Sequence, residues 1–390
     1  MQCPRKVCVV VNSRANYGRI KSFLKAVRDH DRLELQLIVG ASALLYRFGA
    51  AIETIKNDGF TPIAVVHSIL EGETPTTMAK STGLGIVELA THFENLRPDV
   101  VLTVADRFET LATAVASSYM NITLAHTQGG EVTGSIDESV RHAITKLAHI
   151  HFPATSRAKI FLEKMGEDPK SIFLTGCPAI DILTENDLSL RQDFFKDYGG
   201  VGTEIIEEKP YIIVLQHPVT TEYGSGRYQI EETLKAVEKF TKNHNIQAVW
   251  LWPNVDAGSD EIAKRLREFR ESEPLSKIHF YKNFSPEDYA CLLNNCSVIV
   301  GNSSSGLREG AFLGVPCVNI GTRQNNRERA ENVLDAPHES KKIYDALCRQ
   351  YKHARYESSD LVGSGNAGKK IAEIISNIDL NIQKNLNYLN

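Results

Sequence analysis

Short runs of apolar residues alternate with helical patterns along most of the chain, and this alternation limits the folds that the chain can adopt. The first run, Val7–Val11, is apolar throughout, as is typical of a strand buried on both faces of a sheet. Further runs in the first half are Leu33–Val39, Ile63–Val66, Val100–Val104 and Ile122–Ala125. Strands separated by helices predict a parallel sheet with helices on both faces and a ligand site beyond the carboxyl ends of the strands.

A second series of the same kind follows a polar, glycine-containing segment at 187–209. Its predicted strands are Tyr211–Leu215, Val249–Trp252, Ile278–Tyr281, Val298–Val300 and Cys317–Ile320. A chain of 390 residues is about twice the usual domain length, so two separate cores are expected. The predicted fold class is therefore α/β, with two doubly wound Rossmann-like domains that face each other across a cleft.

The polar segment sets the predicted domain boundary. The first domain is expected to span residues 1–186 and the second, nucleotide-binding domain residues 187–365. In the remaining segment, 366–390, a helix is expected to cross back to the first domain. The last residues, 379–390, are expected to form a frayed tail.

The composition argues against several classes of partner. The formal net charge of -4 disfavours bulk binding to nucleic acid or to an anionic membrane. Seven scattered cysteines form no C-x-x-C pair, and no H-x-x-x-H spacing occurs, so we expect reduced thiols and no metal. The start of the chain shows no signal-type segment, and no run is long enough to span a bilayer. These features predict a cytoplasmic protein.

One predicted β-α-β unit, residues 299–324, has the composition of a phosphate site. Ser303 and Ser304 lie in its small-residue turn, where a helix N-terminus favours an anion. Glu309 lies about one helical turn further, within reach of a hydroxyl pair such as a ribose, and Arg323 leaves the next strand on the same rim. This combination predicts a nucleotide-diphosphate site, and the alternative is an ordinary turn with solvated serines.

Polar residues cluster at the ends of the predicted strands in both series. They are Arg14, Asn16, Asp106, Arg107, Gln128, Glu131, Asp137, His217, Asn254 and Asp256. Carboxylates such as Asp106, Glu131 and Asp137 around one cleft suit an enzyme that moves protons, with one as base and another as acid. Capping of the next helix is the structural alternative for Asp106, and a satisfied structural histidine is the alternative for His217.

Eight motifs, in this order, resemble those of the hydrolysing UDP-N-acetylglucosamine 2-epimerases, which start sialic acid synthesis. They are Ser13-Arg14-Ala15-Asn16-Tyr17, Asp106-Arg107-Phe108-Glu109, His126-x-x-Gly129-Gly130-Glu131, the run 134–146 that begins Gly134-Ser135-Ile136-Asp137-Glu138, Gln216-His217-Pro218-Val219-Thr220-Thr221, Asp256-Ala257-Gly258-Ser259, Gly301-Asn302-Ser303-Ser304 and Gly321-Thr322-Arg323-Gln324. The resemblance covers about residues 6–335. It implies the two-domain GT-B fold of one large class of glycosyltransferases and a reaction without nicotinamide or metal.

The implied reaction begins when a base removes the proton at C2 of the sugar while the C1–oxygen bond to UDP breaks. Water then adds to the resulting glycal at C1 and a proton returns to C2 from the other face, which releases UDP and N-acetylmannosamine. The resemblance implies that Asp106, Asp137 and His217 are catalytic, and a protonated His217 is expected beside the leaving β-phosphate. The implied nucleotide-sugar contacts are Arg14, Asn254, Asp256, Ser303, Ser304, Glu309 and Arg323, with Arg107 near the phosphates or the sugar.

Two positions depart from the family pattern. Gln128 and Asn16 stand where many members carry an acid, so Glu131 is expected to take over the catalytic role, or Gln128 only orients the substrate. Asn16 is expected at the sugar. Both departures leave room for a GDP- or UDP-linked 2,4-diacetamido-6-deoxy sugar, as in legionaminic acid synthesis.

Other readings of the same motifs stay open at this point. They are a non-hydrolysing epimerase, a glycosyltransferase of the same fold and a catalytically silent nucleotide-sugar-binding regulator. Since relatives of the resembled family form dimers and tetramers, we also expect a homodimer or homotetramer.

Overall fold

The computed structural model describes residues 3–385 and 387 and contains two sheets. The strands of the first domain are β1 (Arg5–Val11), β2 (Leu33–Gly40), β3 (Ala64–Val66), β4 (Val100–Val104), β5 (Thr123–Thr127) and β6 (Ile150–Phe152). They pair in the order β3-β2-β1-β4-β5-β6, and every pair is parallel. The helices are α1 (Arg14–Gly18), α2 (Lys21–Arg28), α3 (Ala51–Asn57), α4 (Pro75–Leu96), α5 (Phe108–Tyr119), α6 (Ile136–Leu147), α7 (Ser156–Lys164) and α8 (Pro178–Glu185).

The second domain repeats this plan. Its elements are α9 (Phe194–Tyr198), β7 (Val201–Gly202), β8 (Tyr211–Leu215), α10 (Gly226–His244), β9 (Gln247–Leu251), α11 (Ser259–Ser272), β10 (Ile278–Tyr281), α12 (Pro286–Asn295), β11 (Ile299–Gly301), α13 (Glu309–Phe312), β12 (Cys317–Ile320), β13 (Val333–Ala336) and α14 (Ser340–His353). The strand order is β13-β12-β11-β8-β9-β10-β7, and only β7 runs antiparallel to its neighbour among these described strands. The predicted α/β fold class is confirmed.

Three strands were missed by the sequence analysis. β6, β7 and β13 are two to four residues long and all lie at an edge of a sheet. Such short segments carry little apolar periodicity, so pairing with a neighbouring strand decides their conformation.

The apolar run in β1 forms part of the core on both faces of its sheet. Val7, Val9 and Val11 pack into one apolar cluster, whereas Cys8 and Val10 pack into the cluster on the other face. This is the period of two that a pleated strand imposes. The absence of polar residues in the run therefore follows from burial on both sides.

The last helix, α15 (Ala367–Asn377), packs on the first domain. Ile371 and Ile375 belong to the same cluster as Val7, and Gly368 lies against the backbone of α2. The backbone N–H groups of Ala367 and Gly368 donate to the Asp181 carboxylate at 2.9 and 2.7 Å. A carboxylate at a helix N-terminus is favourable, so Asp181 of α8 fixes where α15 begins.

The described part of the tail is not frayed, contrary to the prediction. Lys384 donates to the Thr145 carbonyl oxygen at 2.7 Å and pairs with Glu167 at 2.5 Å, while the Asn387 N–H donates to the Gly166 oxygen at 2.8 Å. These contacts satisfy polar groups of the first domain, which the sequence pattern does not reveal. Residues 386 and 388–390 of that prediction lie outside the described residues.

Within the described residues, the helices do not combine the length and the apolar character that a transmembrane span requires.

We expect Gly368→Ala to destabilise the protein. An added Cβ would lie 2.6 Å from the backbone of Ser22 and Phe23, and overpacking of this kind costs about 1–3 kcal/mol. Gly83→Ala in α4 is the matched control, because a Cβ there meets no atom within 4 Å among the described residues. Alanine should stabilise that exposed helix by up to about 1 kcal/mol. Urea unfolding measures the stability of both variants. Equal unfolding midpoints for Gly368→Ala and Gly83→Ala would contradict close packing of α15 on α2.

Candidate active site

A cleft of about 1330 Å³, including its open mouth, lies between the carboxyl ends of the two sheets. Ten predicted site residues line it: Arg14, Asp106, Arg107, Asp137, His217, Asn254, Ser303, Ser304, Glu309 and Arg323. Four predicted residues do not: Asn16, Gln128, Glu131 and Asp256. Both domains therefore contribute polar groups to one space, as expected for doubly wound sheets that face each other.

Asp106 follows β4 and points to a buried arginine that the sequence analysis did not select. Its carboxylate pairs with Nη2 of Arg141, a fully buried residue of α6. Nη1 of Arg141 donates to the Glu131 carbonyl oxygen at 2.7 Å. Burial and the neighbouring arginines lower the pKa of Arg141 well below its ordinary value, and its pairing with Asp106 fixes the position of the Asp106 carboxyl group at the cleft wall. The run 134–146 contained this residue, but nothing in its spacing pairs it with Asp106.

Asp137 lies in the first turn of α6, on the same side of the cleft. The hydroxyl of Ser135 caps the helix by accepting from the Asp137 N–H at 3.3 Å. One carboxylate oxygen is 3.5 Å from Nη2 of Arg323, which belongs to the second domain. Burial raises the pKa of Asp137 above its ordinary value, and Arg323 opposes that rise. Asp137 is therefore closer than a free aspartate to exchanging a proton near neutral pH.

His217 follows β8 and faces the cleft as a neutral donor. Asn254 donates its backbone N–H to Nδ1 at 3.2 Å, so a neutral ring carries its proton on Nε2. Burial lowers the pKa of His217 well below its ordinary value, and the charges of Arg323 and Arg14 lower it further. These surroundings disfavour the protonated form that was expected at this position. In the neutral form, Nε2–H still supplies one hydrogen bond to an anion.

Arg107 and Asp256 form a link between the domains. Nη1 of Arg107 is 2.9 Å from Oδ1 of Asp256, and Nε is 3.2 Å from Oε2 of Glu109. Nη2 also donates to the Val255 carbonyl oxygen at 3.3 Å. This geometry does not place Asp256 at the cleft, where a substrate contact was predicted for it: Oδ1 pairs with Arg107, and Oδ2 is buried without a hydrogen-bond partner among the described residues.

The structure also does not support the catalytic role predicted for Glu131. Its carboxylate pairs with Arg308 at 2.6 Å and with Arg327, both from the second domain. These two arginines outweigh the effect of burial and lower the pKa of Glu131 to about 2. A carboxylate held this way would exchange a proton only at strongly acidic pH. Glu131 is instead the centre of a buried ion-pair cluster across the domain interface.

Gln128 and Asn16 point into the protein rather than into the cleft. Gln128 has a left-handed φ of 61°, and its amide Nε2 lies 3.3 Å from Sγ of Cys177. Asn16 accepts from the Asn12 N–H at 3.3 Å and is buried in α1. The direct sugar contact expected for Asn16 is therefore not supported, and neither residue reaches the cleft wall.

Two arginines of the first domain extend toward the second domain. Arg14 donates to the carbonyl oxygens of Trp252, at 2.5 Å, and of Lys282, so its guanidinium bridges the domains. Arg19, which the sequence analysis missed, donates to the Ser304 hydroxyl at 2.6 Å and lines the cleft. Burial lowers the pKa of Arg19 to about 10, which still leaves it charged at neutral pH. A second arginine five residues after Arg14 was the available signal.

The second domain supplies the remaining groups. The Ser303 hydroxyl accepts from the Ser305 N–H at 3.3 Å in the turn after β11. Glu309 begins α13 at the cleft, and its Oε2 is buried without a hydrogen-bond partner among the described residues. An orphaned carboxylate oxygen of this kind is suited to a ligand hydroxyl. Among residues 3–385 and 387, no group of three or more His, Cys, Asp or Glu side chains is arranged to hold a metal ion.

A sequence profile of the UDP-N-acetylglucosamine 2-epimerases matches residues 25–376. The chain belongs to this family. One relative, the UDP-N,N'-diacetylbacillosamine 2-epimerase (hydrolyzing) of Legionella pneumophila, is 33% identical over 97% of both chains. The UDP-N-acetylglucosamine 2-epimerase of Neisseria meningitidis is 29% identical and covers 96% of this chain and 95% of its own.

The same fold occurs in solved structures of UDP-N-acetylglucosamine 2-epimerases. The enzyme of Methanocaldococcus jannaschii, in complex with UDP-GlcNAc and UDP, superposes with a TM-score of 0.79 at 17% identity. The match covers 95% of this chain and 99% of the other. The two-domain GT-B-like architecture of this epimerase is therefore that of its family.

We expect Glu131→Gln to destabilise this epimerase rather than to remove only its activity. Breaking a buried ion pair costs about 3–5 kcal/mol because the remaining charges stay uncompensated. The lowered pKa also sets how the free energy of unfolding depends on pH. Glu131 stabilises the fold fully above its ordinary pKa of 4.5, and this contribution is lost as the pH falls toward about 2. Glu94→Gln on the exposed face of α4 is the control.

Urea unfolding at pH 7 and pH 4 measures the effect. The Glu131 variant should lose more stability than the control at pH 7, and the gap should narrow at pH 4. Wild-type stability combined with lost turnover would instead restore Glu131 as a catalytic residue.

Proposed function

We propose that this epimerase is hydrolysing, and that it converts UDP-N-acetylglucosamine and water to UDP and N-acetylmannosamine. The observation that carries the proposal is the meeting of Asp106, Asp137 and His217 with charged groups of the second domain in one cleft. Membership of the 2-epimerase family supplies the reaction class. The relatives named above include one whose activity is described as hydrolysing.

In the proposed first step, the Asp106 carboxylate removes the proton from C2 of the sugar. The C1–oxygen bond breaks at the same time, a C1–C2 double bond forms, and UDP takes the electron pair. The pairing with Arg141 fixes the orientation of Asp106. Since a C2 proton is only weakly acidic, stabilisation of the departing diphosphate is expected to supply much of the rate enhancement.

In the proposed second step, the base of the first step releases its proton to solvent, and water adds its oxygen to C1 of the glycal while losing one proton to the carboxylate that has protonated C2. The proton returns to C2 from the opposite face. We assign this return to Asp137, because burial raises its pKa and lets it hold a proton nearer neutral pH. Asp106 follows β4 and Asp137 lies in α6, so two separate carboxyl groups of the first domain reach the cleft, and we assign one to each face of the flat intermediate. Inversion at C2 requires that arrangement.

The leaving diphosphate would bind between the domains. Ser303 and Ser304 lie in the turn after β11, and Arg19 reaches Ser304 from the first domain. Arg323 and the Nε2–H of His217 complete a set of donors that faces the same space. Negative charge from a diphosphate would oppose the burial and the arginines that lower the pKa of His217, and so favour the protonated imidazole beside the leaving group. Glu309 offers its unpartnered oxygen to the ribose hydroxyls.

A UDP-linked 2,4-diacetamido-6-deoxy sugar is the second candidate substrate. The relative that is 33% identical over 97% of both chains is named for a sugar of this kind, diacetylbacillosamine. The same two proton transfers at C2 would serve both sugars. We further propose a cytoplasmic homodimer or homotetramer that serves sialic or legionaminic acid synthesis.

Proton and phosphorus NMR in heavy water tests the proposal. We expect UDP to appear together with N-acetylmannosamine that carries deuterium at C2, because the returning proton exchanges with solvent. Asp106→Asn and Asp137→Asn should each lower turnover by about 100-fold or more while the variants stay folded. The matched control is Asp168→Asn, which changes a carboxylate that caps an exposed helical turn.

Three outcomes distinguish the alternatives. Release of a diacetamido sugar, but not of N-acetylmannosamine, would show that the substrate is the diacetamido nucleotide sugar and that the reaction is the one proposed. UDP-N-acetylmannosamine without free UDP would identify a non-hydrolysing epimerase. If no nucleotide sugar turns over, the proposal of an active hydrolysing enzyme is wrong.

Arg19→Gln should weaken UDP binding by about 10- to 100-fold, because one charge-assisted hydrogen bond contributes about that much affinity. Arg19 has no carboxylate partner among the described salt bridges, so its charge is available to a diphosphate. Arg28→Gln, on the exposed side of α2, is the control. Isothermal titration with UDP measures both, and an unchanged Kd for the Arg19 variant would exclude this contact.

A further inference from the structure

A buried histidine next to the proposed base has no part in the chemistry described so far. His126 lies in β5 and is fully buried, and its Nε2 is 2.8 Å from the carbonyl oxygen of Ala105. A carbonyl oxygen can only accept, so Nε2 carries the proton and donates. The hydrogen bond joins the middle of the first sheet to the residue that precedes Asp106.

Ala105 has a backbone conformation that alanine rarely adopts. Its φ is 62°, in the left-handed region, which is unfavourable for a residue with a Cβ. Its N–H donates to the Thr127 oxygen at 3.2 Å, and its carbonyl oxygen accepts from His126. Strained conformations persist where the surroundings hold them, and these two hydrogen bonds hold both polar groups of this residue.

The direction of Asp106 depends on this turn. The Ala105 carbonyl belongs to the same rigid peptide unit as the Asp106 nitrogen, so a fixed carbonyl fixes the backbone from which the Asp106 side chain leaves. An extended Ala105 would continue β4 and turn Asp106 away from Arg141. The left-handed residue instead breaks the strand and directs the carboxylate to the cleft wall.

We propose that His126 is a positioning residue for Asp106, acting through the Nε2–H hydrogen bond to the carbonyl of Ala105. The inference rests on the proposed function of Asp106 as the base at C2. His126 does not touch the cleft, so it is not itself catalytic.

The surroundings of the His126 ring keep it neutral, with its proton on Nε2. Burial lowers the pKa of His126 to about 3, so the imidazole is neutral at physiological pH. On the other side, a Cβ at Gly129 would lie 3.0 Å from Nδ1, so glycine there leaves room for the ring. The next strand places His151 opposite His126, and His151 pairs with Glu167 at 2.9 Å. Lys146 and Lys384 also pair with Glu167, which keeps that carboxylate occupied.

The test compares His126→Leu, which removes the donor, with His126→Gln, which keeps an N–H donor at a similar reach. We expect His126→Leu to lower kcat by about 100-fold, the usual effect of misplacing a reacting group by about 1 Å, with KM changed by less than about threefold. The kcat of His126→Gln should be at least about tenfold higher than that of His126→Leu. His149→Leu is the matched control: it also removes histidine hydrogen bonds to backbone, to Leu124 and Ile382, but away from Asp106, and should keep wild-type kcat.

A crystal structure of the His126→Leu variant gives a readout that does not depend on activity. We expect Ala105 to leave the left-handed region and Asp106 to leave Arg141. If Ala105 and Asp106 keep their places, or if the leucine and glutamine variants are equally impaired, the inference is wrong. If the wild type turns over no nucleotide sugar, the proposed function fails, and the crystal comparison still decides whether His126 positions Asp106.

If the leucine variant does not fold, nitrogen NMR of the wild type with labelled histidine decides instead. A proton on Nε2 of His126 that stays from pH 5 to pH 9 supports the inference. A proton on Nδ1, or titration within that range, overturns it.

Discussion

Opposite charges buried between the two domains hold the cleft in the described geometry. Glu131 of the first domain binds Arg308 and Arg327 of the second, Asp137 faces Arg323, and Arg107 binds Asp256. A buried ion pair adds little net stability compared with an apolar contact, but separating its members leaves charges without partners. The pairs therefore specify one relative placement of the domains. Gly134 shows how close that placement is, because a Cβ there would collide with the Thr322 carbonyl oxygen.

The same pairing sets the protonation states in the cleft. Burial lowers the pKa of His217, and the charges of Arg323 and Arg14 lower it further, so its neutral form is favoured. The carboxylates differ in their partners: Glu131 has two arginines, whereas Asp137 has one at a longer distance. Burial consequently dominates for Asp137 and raises its pKa, while the arginines dominate for Glu131 and lower it. Two buried carboxyl groups in one protein therefore differ in pKa, and the roles proposed for them rest on that difference.

Behind the cleft wall, polar groups of the first sheet form a continuous support. His126 holds the turn at Ala105, and the adjacent His151 binds Glu167, which also receives Lys384 from the C-terminal segment. His126 and His151 lie on adjacent strands. These partners explain how two buried histidines are tolerated in an otherwise apolar sheet.

The sequence by itself determined the α/β class, the two series of strands and the edge at which the site forms, because these follow from the spacing of apolar residues and from the polarity of parallel strands. Asp106, Asp137, His217, Ser304 and Arg323 were predicted in the cleft for that reason, and they line it. The direction of side chains within irregular loops was decided only by tertiary structure. Gln128 turns inward at a left-handed residue, Glu131 meets arginines almost 200 positions away, and Arg141 reaches Asp106 from another helix. Such contacts depend on how loops, helices and the two domains pack. The spacing of residues along the chain does not predict which of them will meet.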